Sequence, residues 1–209
     1  MTRKGIYLYV KRILDFISAF ILLIVTLPIM ILTAIAIKLE DPKGPILFRQ
    51  NRPGKDAKIF KVNKFRTMIV DTEINGRKLS DKERLTKAGL ILRKTSIDEL
   101  PQLLNILRGE MSFIGPRPLL VKYLPYYTAG EMKRHDVLPG ISGWAQVNGR
   151  NAISWEQKFK LDLEYVENIS LIFDIKIMFL TVYRIFKGSD IGLNSLLDLD
   201  YERKQSPNF

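Results

Sequence analysis

The chain has 209 residues, of which 46% are hydrophobic and 26% are charged, so it is long enough for one packed core with a small appendage. It contains no cysteine and a single histidine, which excludes disulfides, a cysteine nucleophile and a zinc site built on cysteines or on several histidines. The formal net charge of +11 favours an anionic partner: a nucleic acid, a phosphorylated small molecule or an anionic membrane face.

The first feature along the chain is an apolar segment, residues 16 to 37, that carries no charged side chain. It is long enough to cross about 30 Å of hydrocarbon as a helix. It is too long for a signal peptide, and no small-residue cleavage site follows it. Pro28 near its middle removes a backbone donor and clashes with the preceding turn, which predicts a kink. Thr26 lies close enough to satisfy a carbonyl that the proline frees.

Both flanks of this segment are basic. Four cations precede it and one follows it directly, at Arg3, Lys4, Lys11, Arg12 and Lys38. Because positively charged flanks stay in the cytoplasm, one segment satisfies both flanks only if it enters and leaves the membrane on the same side. The sequence therefore predicts a re-entrant helical hairpin broken near Pro28, and the alternative is a single kinked span.

A basic run follows, with eight Lys or Arg residues and one acid between residues 43 and 66. A solvated basic face is the ordinary explanation of such a run, but its position directly after a membrane segment favours contact with anions there. Apolar and basic residues alternate on either side of the turn sequence NRPGKD, residues 51 to 56. This pattern predicts short strands that form a hairpin, with the cations on the face opposite the apolar residues.

The segment KTSIDELPQLLN, residues 94 to 105, places two adjacent carboxylates, Asp98 and Glu99, before an apolar helix that ends near Gly109. Ser96 could cap this helix with Glu99 in a capping box. Alternatively Pro101 is its first residue and the acids lie just outside. The helix dipole favours negative charge in both arrangements, so the pattern leaves open whether the pair is a cap or a reacting centre.

Further polar groups lie downstream. Arg117 stands between two prolines, and three glycines predict a loop over residues 139 to 150 whose backbone can approach a ligand closely. Gln146, Asn148 and Arg150 offer polar contacts in that loop. His135 is expected to be a structural or surface histidine and not a base.

Two helices are predicted near the end of the chain. Residues 152 to 167 form an amphipathic pattern, and Ser170 can cap a second helix that ends at Gly188. Asp174 and Lys176 make a membrane span by this second helix expensive, so a partly buried or interfacial position is expected. The predicted fold is an α-rich α+β membrane protein. It divides into a membrane-embedded segment (1–40), a catalytic domain (41–188) and an exposed tail (189–209).

Arginines and carboxylates together indicate phosphoryl chemistry. Arginine is suited to bidentate phosphate recognition, and Arg93, Arg117 and Arg150 are spread along the chain. Carboxylates among such arginines can hold Mg²⁺ against substrate phosphates, or one of them can be a nucleophile. Three alternatives stay open on the residues alone: a membrane-anchored nucleic-acid-binding module, a structural adaptor without chemistry, and a hydrolase of lipid diphosphates or nucleotide sugars.

The motifs KVNKFRTM, SIDELPQLLNILRGEMSFIGPRPLL and RHDVLPGISGWAQVNGRNAISWEQKF follow the apolar segment in this order. The chain resembles the monotopic polyprenol-phosphate phosphoglycosyl transferases, a family of bacterial sugar transferases, over residues 8 to 187. Its length and motifs are most similar to the small members that initiate protein glycosylation with UDP-diacetylbacillosamine. One departure is Leu27, where a serine often precedes the mid-helix proline.

The resemblance implies a reaction and a location. A sugar phosphate would move from a UDP-sugar to undecaprenyl phosphate by a covalent ping-pong route with Mg²⁺, releasing UMP in the first membrane step of glycoconjugate assembly. The implied location is the cytoplasmic face of the bacterial inner membrane. The implied partners are the two substrates, the lipid bilayer and downstream glycosyltransferases, with no nucleic acid.

The resemblance also implies residue roles. Asp98 would attack the phosphorus and contact Mg²⁺, and Glu99 would contact the metal or accept a proton. The implied phosphate-binding residues are Lys64, Arg93 and Arg117. Nucleotide recognition is expected in the 139–150 loop, at Gly140, Gln146 and Arg150, and a supporting role is expected for Asp174.

Overall fold

The computed structural model describes residues 3–74, 76–149, 153–186 and 198–204. The α-helices are α1 (Arg3–Glu40), α2 (Asp81–Arg84), α3 (Lys87–Thr95), α4 (Leu103–Leu107), α5 (Ala129–Met132), α6 (Trp144–Asn148), α7 (Trp155–Asn168), α8 (Leu171–Phe186) and α9 (Leu199–Lys204). The strands are β1 (Leu47–Pro53), β2 (Ile59–Phe65), β3 (Glu73–Ile74), β4 (Arg77–Lys78), β5 (Ser112–Ile114) and β6 (Gly140–Ser142). Four 3₁₀ segments, at Lys55–Ala57, Ile97–Gln102, Val121–Tyr126 and Lys133–Asp136, complete the described elements. This helix-rich composition with short strands confirms the predicted α-rich class.

Helix α1 contains the apolar segment and runs through Pro28 without an intervening turn. It is long and apolar enough to cross a membrane. Among the described residues it is the one helix that meets both conditions. The Thr26 hydroxyl donates a 2.7 Å hydrogen bond to the carbonyl of Leu22. The carbonyl that Pro28 leaves without its usual donor is that of Ile24, four residues before it. The expectation that Thr26 satisfies the freed carbonyl is therefore wrong, and the hairpin stays a prediction.

Both halves of α1 pack against the rest of the protein. Ala19 is buried in a cluster with side chains of β2 and α4, and Ile37 is buried with Phe65 and Leu92. Burial recurs about every four residues along the helix, at Lys11, Asp15, Ala19, Thr33 and Ile37. The opposite face carries a long row of exposed apolar side chains, from Phe16 to Leu39. The helix therefore has one face on the protein body and one apolar face without a protein partner among the described residues.

Strands β1 and β2 form the predicted hairpin, with Leu47 opposite Phe65 and Pro53 opposite Ile59. Directly opposite residues share a sheet face, and alternate residues of one strand do too. Lys64 and Arg52 therefore lie on the same face as Val62, which is buried. The expected separation of cations from apolar residues is wrong at these two positions, and this places both cations on the face that borders the cleft described below.

The region predicted as a loop over residues 139 to 150 contains strand β6 and helix α6 instead. Strand β6 pairs in parallel with β5. A Cβ atom on Gly140 would lie 2.2 Å from the backbone nitrogen of Gly115. The glycines here permit two backbones to approach each other, which explains them without a loop.

The C-terminal helices agree with the predictions in part. Ser154 and Ser170 accept hydrogen bonds from the first turns of α7 and α8, at 3.2 Å and 3.3 Å. Helix α8 buries Asp174 and Ile177 and exposes most of its other apolar side chains, which confirms the partly buried alternative. The predicted end at Gly188 lies outside the described residues.

The tail predicted as exposed is not exposed where it is described. Helix α9 buries Leu199 completely and Arg203 almost completely. Leu199 packs in a cluster with Trp155 and Phe159 of α7. The prediction is therefore wrong for residues 198–204, because this short amphipathic helix supplies an apolar side chain that fills the end of the core.

Candidate active site

The acidic pair lies in the 3₁₀ segment Ile97–Gln102, between α3 and α4. Ser96 joins α3 to this segment with φ of 59°, in the left-handed region, and its side chain makes no capping hydrogen bond. Pro101 lies inside the 3₁₀ segment, and α4 begins only at Leu103. Both cap arrangements offered by the sequence are therefore wrong. Strain of this kind at a non-glycine residue is frequent at functional sites.

Glu99 is held by two cations from separate parts of the chain. Lys64 Nζ lies 2.5 Å from Glu99 Oε1, and Arg117 Nη2 donates to the same oxygen at 3.0 Å. Burial alone would raise the pKa of Glu99, but the charges of Arg117 and Lys64 outweigh it and lower the pKa to about 2. The Glu99 carboxylate is therefore ionised throughout the physiological range, and it ties β2 to the segment that carries Arg117.

Asp98 has weaker interactions than its neighbour. Its nearest ion-pair partner is Lys64, with Nζ 3.9 Å from Asp98 Oδ2. Burial raises the pKa of Asp98 above its ordinary value, the charge of Lys64 opposes the rise, and the charge of Glu99 adds to it. Asp98 is thus the member of the pair whose oxygens are less engaged by protein cations and more basic, as a nucleophile requires.

Lys64 and Arg117 respond to the same cluster in opposite directions. Burial lowers the pKa of Lys64, and the like charge of Arg117 lowers it further. The charge of Glu99 raises the pKa of Arg117. Two cations and two carboxylates therefore form one coupled group in which each charge depends on the others.

Arg93 reaches the same region from the last turn of α3. Its Nε donates a 3.0 Å hydrogen bond to the hydroxyl of Thr67, just after β2. A Cβ on Gly89 would lie 2.0 Å from the carbonyl oxygen of Thr67. Gly89 therefore lets α3 lie directly against this segment, which positions Arg93 near Asp98, whose pKa its charge lowers.

A buried ion pair that sequence reasoning did not identify supports Arg117. Arg134 donates at 2.7 Å to Asp162 of α7 and at 2.7 Å to the carbonyl of Arg117. Both side chains are almost completely buried. The pair joins positions 28 residues apart, and its only sequence signal is an acid on the apolar side of an amphipathic helix.

One open cleft, with a volume of about 1530 Å³, brings the central residues together. It is lined by Lys64, Arg93, Asp98, Glu99 and Arg117, as well as by Gln146. Among the described residues that line it, ten are Arg or Lys and five are Asp or Glu. A cleft with this excess of positive charge concentrates anionic ligands.

The predicted nucleotide-binding residues are not arranged as expected. Gln146 borders the cleft and donates at 2.9 Å to the carbonyl of Ile141, while its Oε1 is buried with no hydrogen-bond partner among the described residues. Gly140 does not line the cleft, and its packing against Gly115 accounts for it. Arg150 lies outside the described residues. Of these three residues, Gln146 is the one that the structure places on the cleft.

Asp174 lies at a separate junction. Its carboxylate accepts hydrogen bonds from Tyr7 at 2.6 Å, Lys11 at 2.5 Å and Tyr165 at 2.7 Å. Tyr165 Oη also lies 3.0 Å from the carbonyl oxygen of Ile114. Asp174 therefore joins α1, α7 and α8, and it does not line the cleft.

His135 is buried, and its Nδ1 lies 2.9 Å from the carbonyl oxygen of Gly54. This contact requires a proton on Nδ1, so Nε2 is the acceptor nitrogen of a neutral ring. Burial lowers the pKa of His135 to about 4, and the charge of Arg134 contributes in the same direction. These contacts agree with a structural histidine.

The donor set for a metal consists of the two adjacent carboxylates. The described residues contain no group of three or more His, Cys, Asp or Glu side chains that could hold a metal ion. Mg²⁺ often binds through one or two carboxylates and completes its shell with water and substrate phosphates. Asp98 and Glu99 fit that mode, and Asp98 is the more available of the two because Lys64 and Arg117 engage Glu99.

Comparison with known proteins adds the context for this geometry. Residues 6–188 match the model of the family described as bacterial sugar transferase. The chain is 50% identical to the uncharacterized sugar transferase EpsL of Bacillus subtilis (strain 168) over 87% of this chain and 89% of that one.

The names of two further relatives state an activity. A UDP-glucose:undecaprenyl-phosphate glucose-1-phosphate transferase of Escherichia coli (strain K12) is 43% identical over 88% of this chain and 41% of its own length. A UDP-N-acetylgalactosamine-undecaprenyl-phosphate N-acetylgalactosaminephosphotransferase of Aeromonas hydrophila is 42% identical over 88% and 45%. The chain spans less than half the length of these two relatives. The family match and the level of identity lead to one conclusion: this chain belongs to the bacterial sugar transferase family.

Proposed function

We propose that the protein transfers a sugar phosphate from a UDP-sugar to undecaprenyl phosphate and releases UMP, by a covalent intermediate on Asp98. One observation carries the proposal: Asp98 lies among Lys64, Arg93 and Arg117 on the wall of a single cationic cleft. The names of the Escherichia coli and Aeromonas relatives support the same pair of substrates.

The reaction is proposed in two displacements. In the first, an oxygen of the Asp98 carboxylate attacks the sugar-bearing phosphorus of the UDP-sugar. The bond between that phosphorus and the bridging oxygen breaks, and UMP leaves with the electron pair. In the second, a phosphate oxygen of undecaprenyl phosphate attacks the same phosphorus. The aspartyl–phosphorus bond breaks, the carboxylate is regenerated, and undecaprenyl-diphosphate-sugar is formed.

The neighbouring side chains have distinct proposed roles. Arg93 and Arg117 bind the phosphate groups and stabilise the charge that accumulates on their oxygens. Lys64 lowers the cost of holding two adjacent carboxylates, because it contacts Glu99 closely and Asp98 more distantly. Glu99 fixes Lys64 and Arg117 in position, in addition to its proposed role at the metal. Asp174 supports the site indirectly by holding α1 against α7 and α8.

Mg²⁺ is part of the proposal, with Asp98 and Glu99 as the protein ligands. When bound, it would neutralise charge on the substrate phosphates and orient them. Gln146 is proposed to contact the nucleotide, since its buried Oε1 has no partner among the described residues and can accept a hydrogen bond from a ligand.

A monotopic, re-entrant arrangement of α1 is proposed as well, on the cytoplasmic face of the bacterial inner membrane. A straight helix of this length would extend about 57 Å at 1.5 Å per residue. Lys11 near one end contacts Asp174, and Ile37 near the other end packs with Phe65. Both ends therefore contact the same protein body, and a body on one side of the membrane favours a helix that does not cross. The exposed apolar side chains of α8 are proposed to lie in the interface.

Cysteine labelling tests this topology, because the chain has no cysteine of its own. Thr2→Cys is compared with Lys94→Cys, an exposed position on α3, using a membrane-impermeant maleimide on intact cells. Both positions are expected to be protected until the cells are permeabilised. Labelling of Thr2→Cys alone in intact cells would contradict the monotopic arrangement.

A UMP-release assay tests the activity on purified full-length protein with undecaprenyl phosphate and Mg²⁺. The donor panel is UDP-diacetylbacillosamine, UDP-N-acetylgalactosamine and UDP-glucose. The proposed donor is a UDP-N-acetylated amino or diacetamido sugar, the class to which the first two belong, and its lipid-linked product would be the substrate of downstream glycosyltransferases. Multiple turnover is expected to require the acceptor, while one equivalent of UMP is released without it. Continuous UMP release without any acceptor would instead indicate a hydrolase.

Asp98→Asn is the decisive variant. It is expected to lose both turnover and the single equivalent of UMP while keeping the fold, because an amide is a poor nucleophile. Asp136→Asn, an acid on an exposed position away from the cleft, is the matched control and is expected to behave as the wild type. Near wild-type turnover by a folded Asp98→Asn protein would show that the nucleophile is another group.

A further inference from the structure

One wall of the cleft carries cations that the proposed mechanism does not use. Arg52 lies near the end of β1, and Lys158 lies on α7, and both line the cleft. Neither forms an ion pair with a carboxylate among the residues that the structure describes. Arg52 donates at 2.6 Å to the neutral side chain of Gln50. Lys158 Nζ lies 4.1 Å from the ring centroid of Trp155.

These two cations are close enough to the active site to interact with it. Burial lowers the pKa of Arg52 to about 10, and the second contribution is the like charge of Arg117. Burial also lowers the pKa of Lys158; the charges of Asp162 and Glu202 oppose this decrease, and the charges of Arg134 and Arg117 add to it. Both are partly buried cations that Arg117 repels and that form no ion pair with a carboxylate among the described residues, a costly arrangement that a bound anion would relieve.

Two other carboxylates that line the cleft are already engaged. Asp162, one turn along α7 from Lys158, is paired with Arg134. Asp198 accepts hydrogen bonds from Lys122 at 2.5 Å and from Tyr123 at 2.9 Å. Asp162 and Asp198 are therefore not available as ion-pair partners for Arg52 or Lys158.

The register of the hairpin gives the direction of this wall. Lys64 is opposite Phe48, and Arg52 follows four positions further along β1 on the same sheet face. At about 3.4 Å per residue, the two backbone positions are roughly 14 Å apart. The cleft therefore extends along the hairpin from Lys64 and the acidic pair to Arg52, and Arg117 interacts electrostatically with Lys64 and Arg52. Strand β1 contacts the 3₁₀ segment Val121–Tyr126, whose Tyr123 packs edge to face with Trp155, the ring beneath Lys158 Nζ. This chain of contacts places Lys158 on the same side of the cleft as β1.

We propose that Arg52 and Lys158, together with Arg117, bind the phosphate of the leaving nucleotide. Lys64 and Arg93 would then serve the phosphate that carries the sugar. The inference rests on the proposed function and extends it, because a nucleoside diphosphate sugar carries two adjacent phosphates and only the sugar-bearing one is attacked. The occupant of this second subsite is the phosphate of UMP.

The acceptor's phosphate is the other possible source of such an anion, and the position of the subsite argues against it. The wall around Lys158 is built on a core cluster of Tyr123, Trp155, Phe159 and Leu199 and their neighbours, which contains no residue of α1 or α8. The exposed apolar faces belong to α1 and α8. α1 packs along β2 instead, with Ala19 in the cluster that contains Val62 and contacts Phe60, and Ile37 in the cluster that contains Phe65. The position of Lys158, away from both apolar faces, therefore favours the nucleotide phosphate over a lipid phosphate.

Binding of UMP and of uridine tests the subsite directly. The variants are Arg52→Gln and Lys158→Gln, and the matched controls are Lys61→Gln on β2 and Lys160→Gln on α7, both exposed and outside the cleft. Calorimetry on full-length protein in nanodiscs gives each affinity. We expect each cleft variant to bind UMP about tenfold more weakly or worse, the controls to match the wild type, and uridine affinity to change less than twofold. Arg52→Lys, which keeps the charge, is expected to recover part of the loss.

Two results would contradict the phosphate subsite. The first is a UMP affinity that is unchanged in both cleft variants. The second is an equal loss of affinity for uridine and UMP, which would indicate a contact with the nucleoside. A raised KM for farnesyl phosphate as a short acceptor, with UMP affinity unchanged, would assign the cations to the acceptor. The two variants lie on separate elements, so a folding failure in one leaves the other to decide.

Failure of the proposed function gives a different result. A wild type that binds UMP but releases none from any UDP-sugar would refute the transferase, and the UMP affinities of the variants would still decide whether Arg52 and Lys158 bind a nucleotide phosphate.

Discussion

Lys64 Nζ lies 2.5 Å from Glu99 Oε1 and 3.9 Å from Asp98 Oδ2, so one ammonium group serves both members of the acidic pair unequally. The same pair shows opposite changes in acidity. The pKa of Glu99 is lowered to about 2, whereas burial raises the pKa of Asp98. Environments that push two carboxylates apart in this way commonly separate their chemical roles. Glu99 is the fixed anion, and Asp98 is the more basic group.

The pH dependence of the first displacement follows from the raised pKa of Asp98. Asp98 attacks as the carboxylate, so the rate falls as the pH falls through its pKa, above the ordinary value for aspartate. Lys64→Met removes the main charge that lowers the pKa of Asp98, so this pKa is expected to increase. The acid limb of the pH–rate profile for single-turnover UMP release is therefore expected to move to higher pH. Lys61→Met, on an exposed part of the same strand, should leave the limb in place. A limb that moves to lower pH in Lys64→Met would contradict this assignment.

The buried pair of Arg134 and Asp162 is expected to be important for stability and for Arg117. Asp162→Asn leaves a buried guanidinium without its counter-charge, which typically costs roughly 3 to 5 kcal/mol, and it loosens the bond from Arg134 to the carbonyl of Arg117. The melting temperature in detergent is expected to fall by several degrees. The double variant Arg134→Met/Asp162→Leu is the comparison, since replacing both charges is often tolerated. If Asp162→Asn is as stable as the wild type, the pair of Arg134 and Asp162 does not stabilise the fold.

Asp174 offers a separate test of how α1 is attached. Asp174→Asn removes one of the two negative charges beside buried Lys11, since Asp15 Oδ2 also lies 3.9 Å from Lys11 Nζ, and it leaves one acceptor oxygen for Tyr7 and Tyr165 in place of two. A loss of about 1.5 to 3 kcal/mol is expected, seen as a lower melting temperature and faster proteolysis between α1 and the body. Glu167→Gln, an exposed acid on α7, is the control. If Asp174→Asn changes stability no more than this control, the junction does not depend on the ion pair.

Glycine at position 140 is expected to be required for packing and not for nucleotide binding. The Cβ of Gly140→Ala would meet backbone atoms of Gly115 and Ser142 at 2.2 Å and 2.4 Å, so β5 and β6 would have to separate. Lower stability is expected in the absence of any ligand. Gly130→Ala in α5 has its nearest neighbour at 3.9 Å and is expected to be neutral or stabilising by up to about 1 kcal/mol. A Gly140→Ala protein with normal stability but weak UMP affinity would restore the nucleotide role.

Local patterns in the sequence predicted the elements that depend on nearby residues. The hairpin around NRPGKD, the cap at Ser170 and the long apolar helix all follow from periodicity and turn residues within a short stretch. The motifs also indicated Lys64, Arg93, Arg117 and the acidic pair, which the fold gathers in one cleft. These features could be predicted because their cause lies in adjacent residues or in the resemblance of the motifs.

Features that depend on residues far apart in the sequence were not predicted. The 3₁₀ conformation around Asp98 and Glu99 accompanies contacts from Glu99 to Lys64 and Arg117, 35 and 18 residues away. The glycines near residue 140 suggested a loop because the opposing backbone at Gly115 is not visible in the local sequence. Arg134 likewise finds its partner 28 residues away. A single sequence does not contain the pairing of distant segments, so such contacts emerge only with the tertiary structure.

His135 is expected to make the protein less stable at mildly acidic pH. Its pKa is lowered to about 4 in the folded state, against about 6.5 in the unfolded chain, so the unfolded state binds more protons between these values. Stability therefore falls as the pH drops from 6.5 towards 4, by roughly 2 kcal/mol at pH 5 for this group. His135→Asn keeps a side-chain donor for the carbonyl of Gly54 but does not titrate. Between pH 7.5 and pH 5, the melting temperature of the wild type is thus expected to fall further than that of His135→Asn, because the two proteins have every other titrating group in common. Equal losses in the two proteins would show that the ring is protonated in the fold or accessible to water.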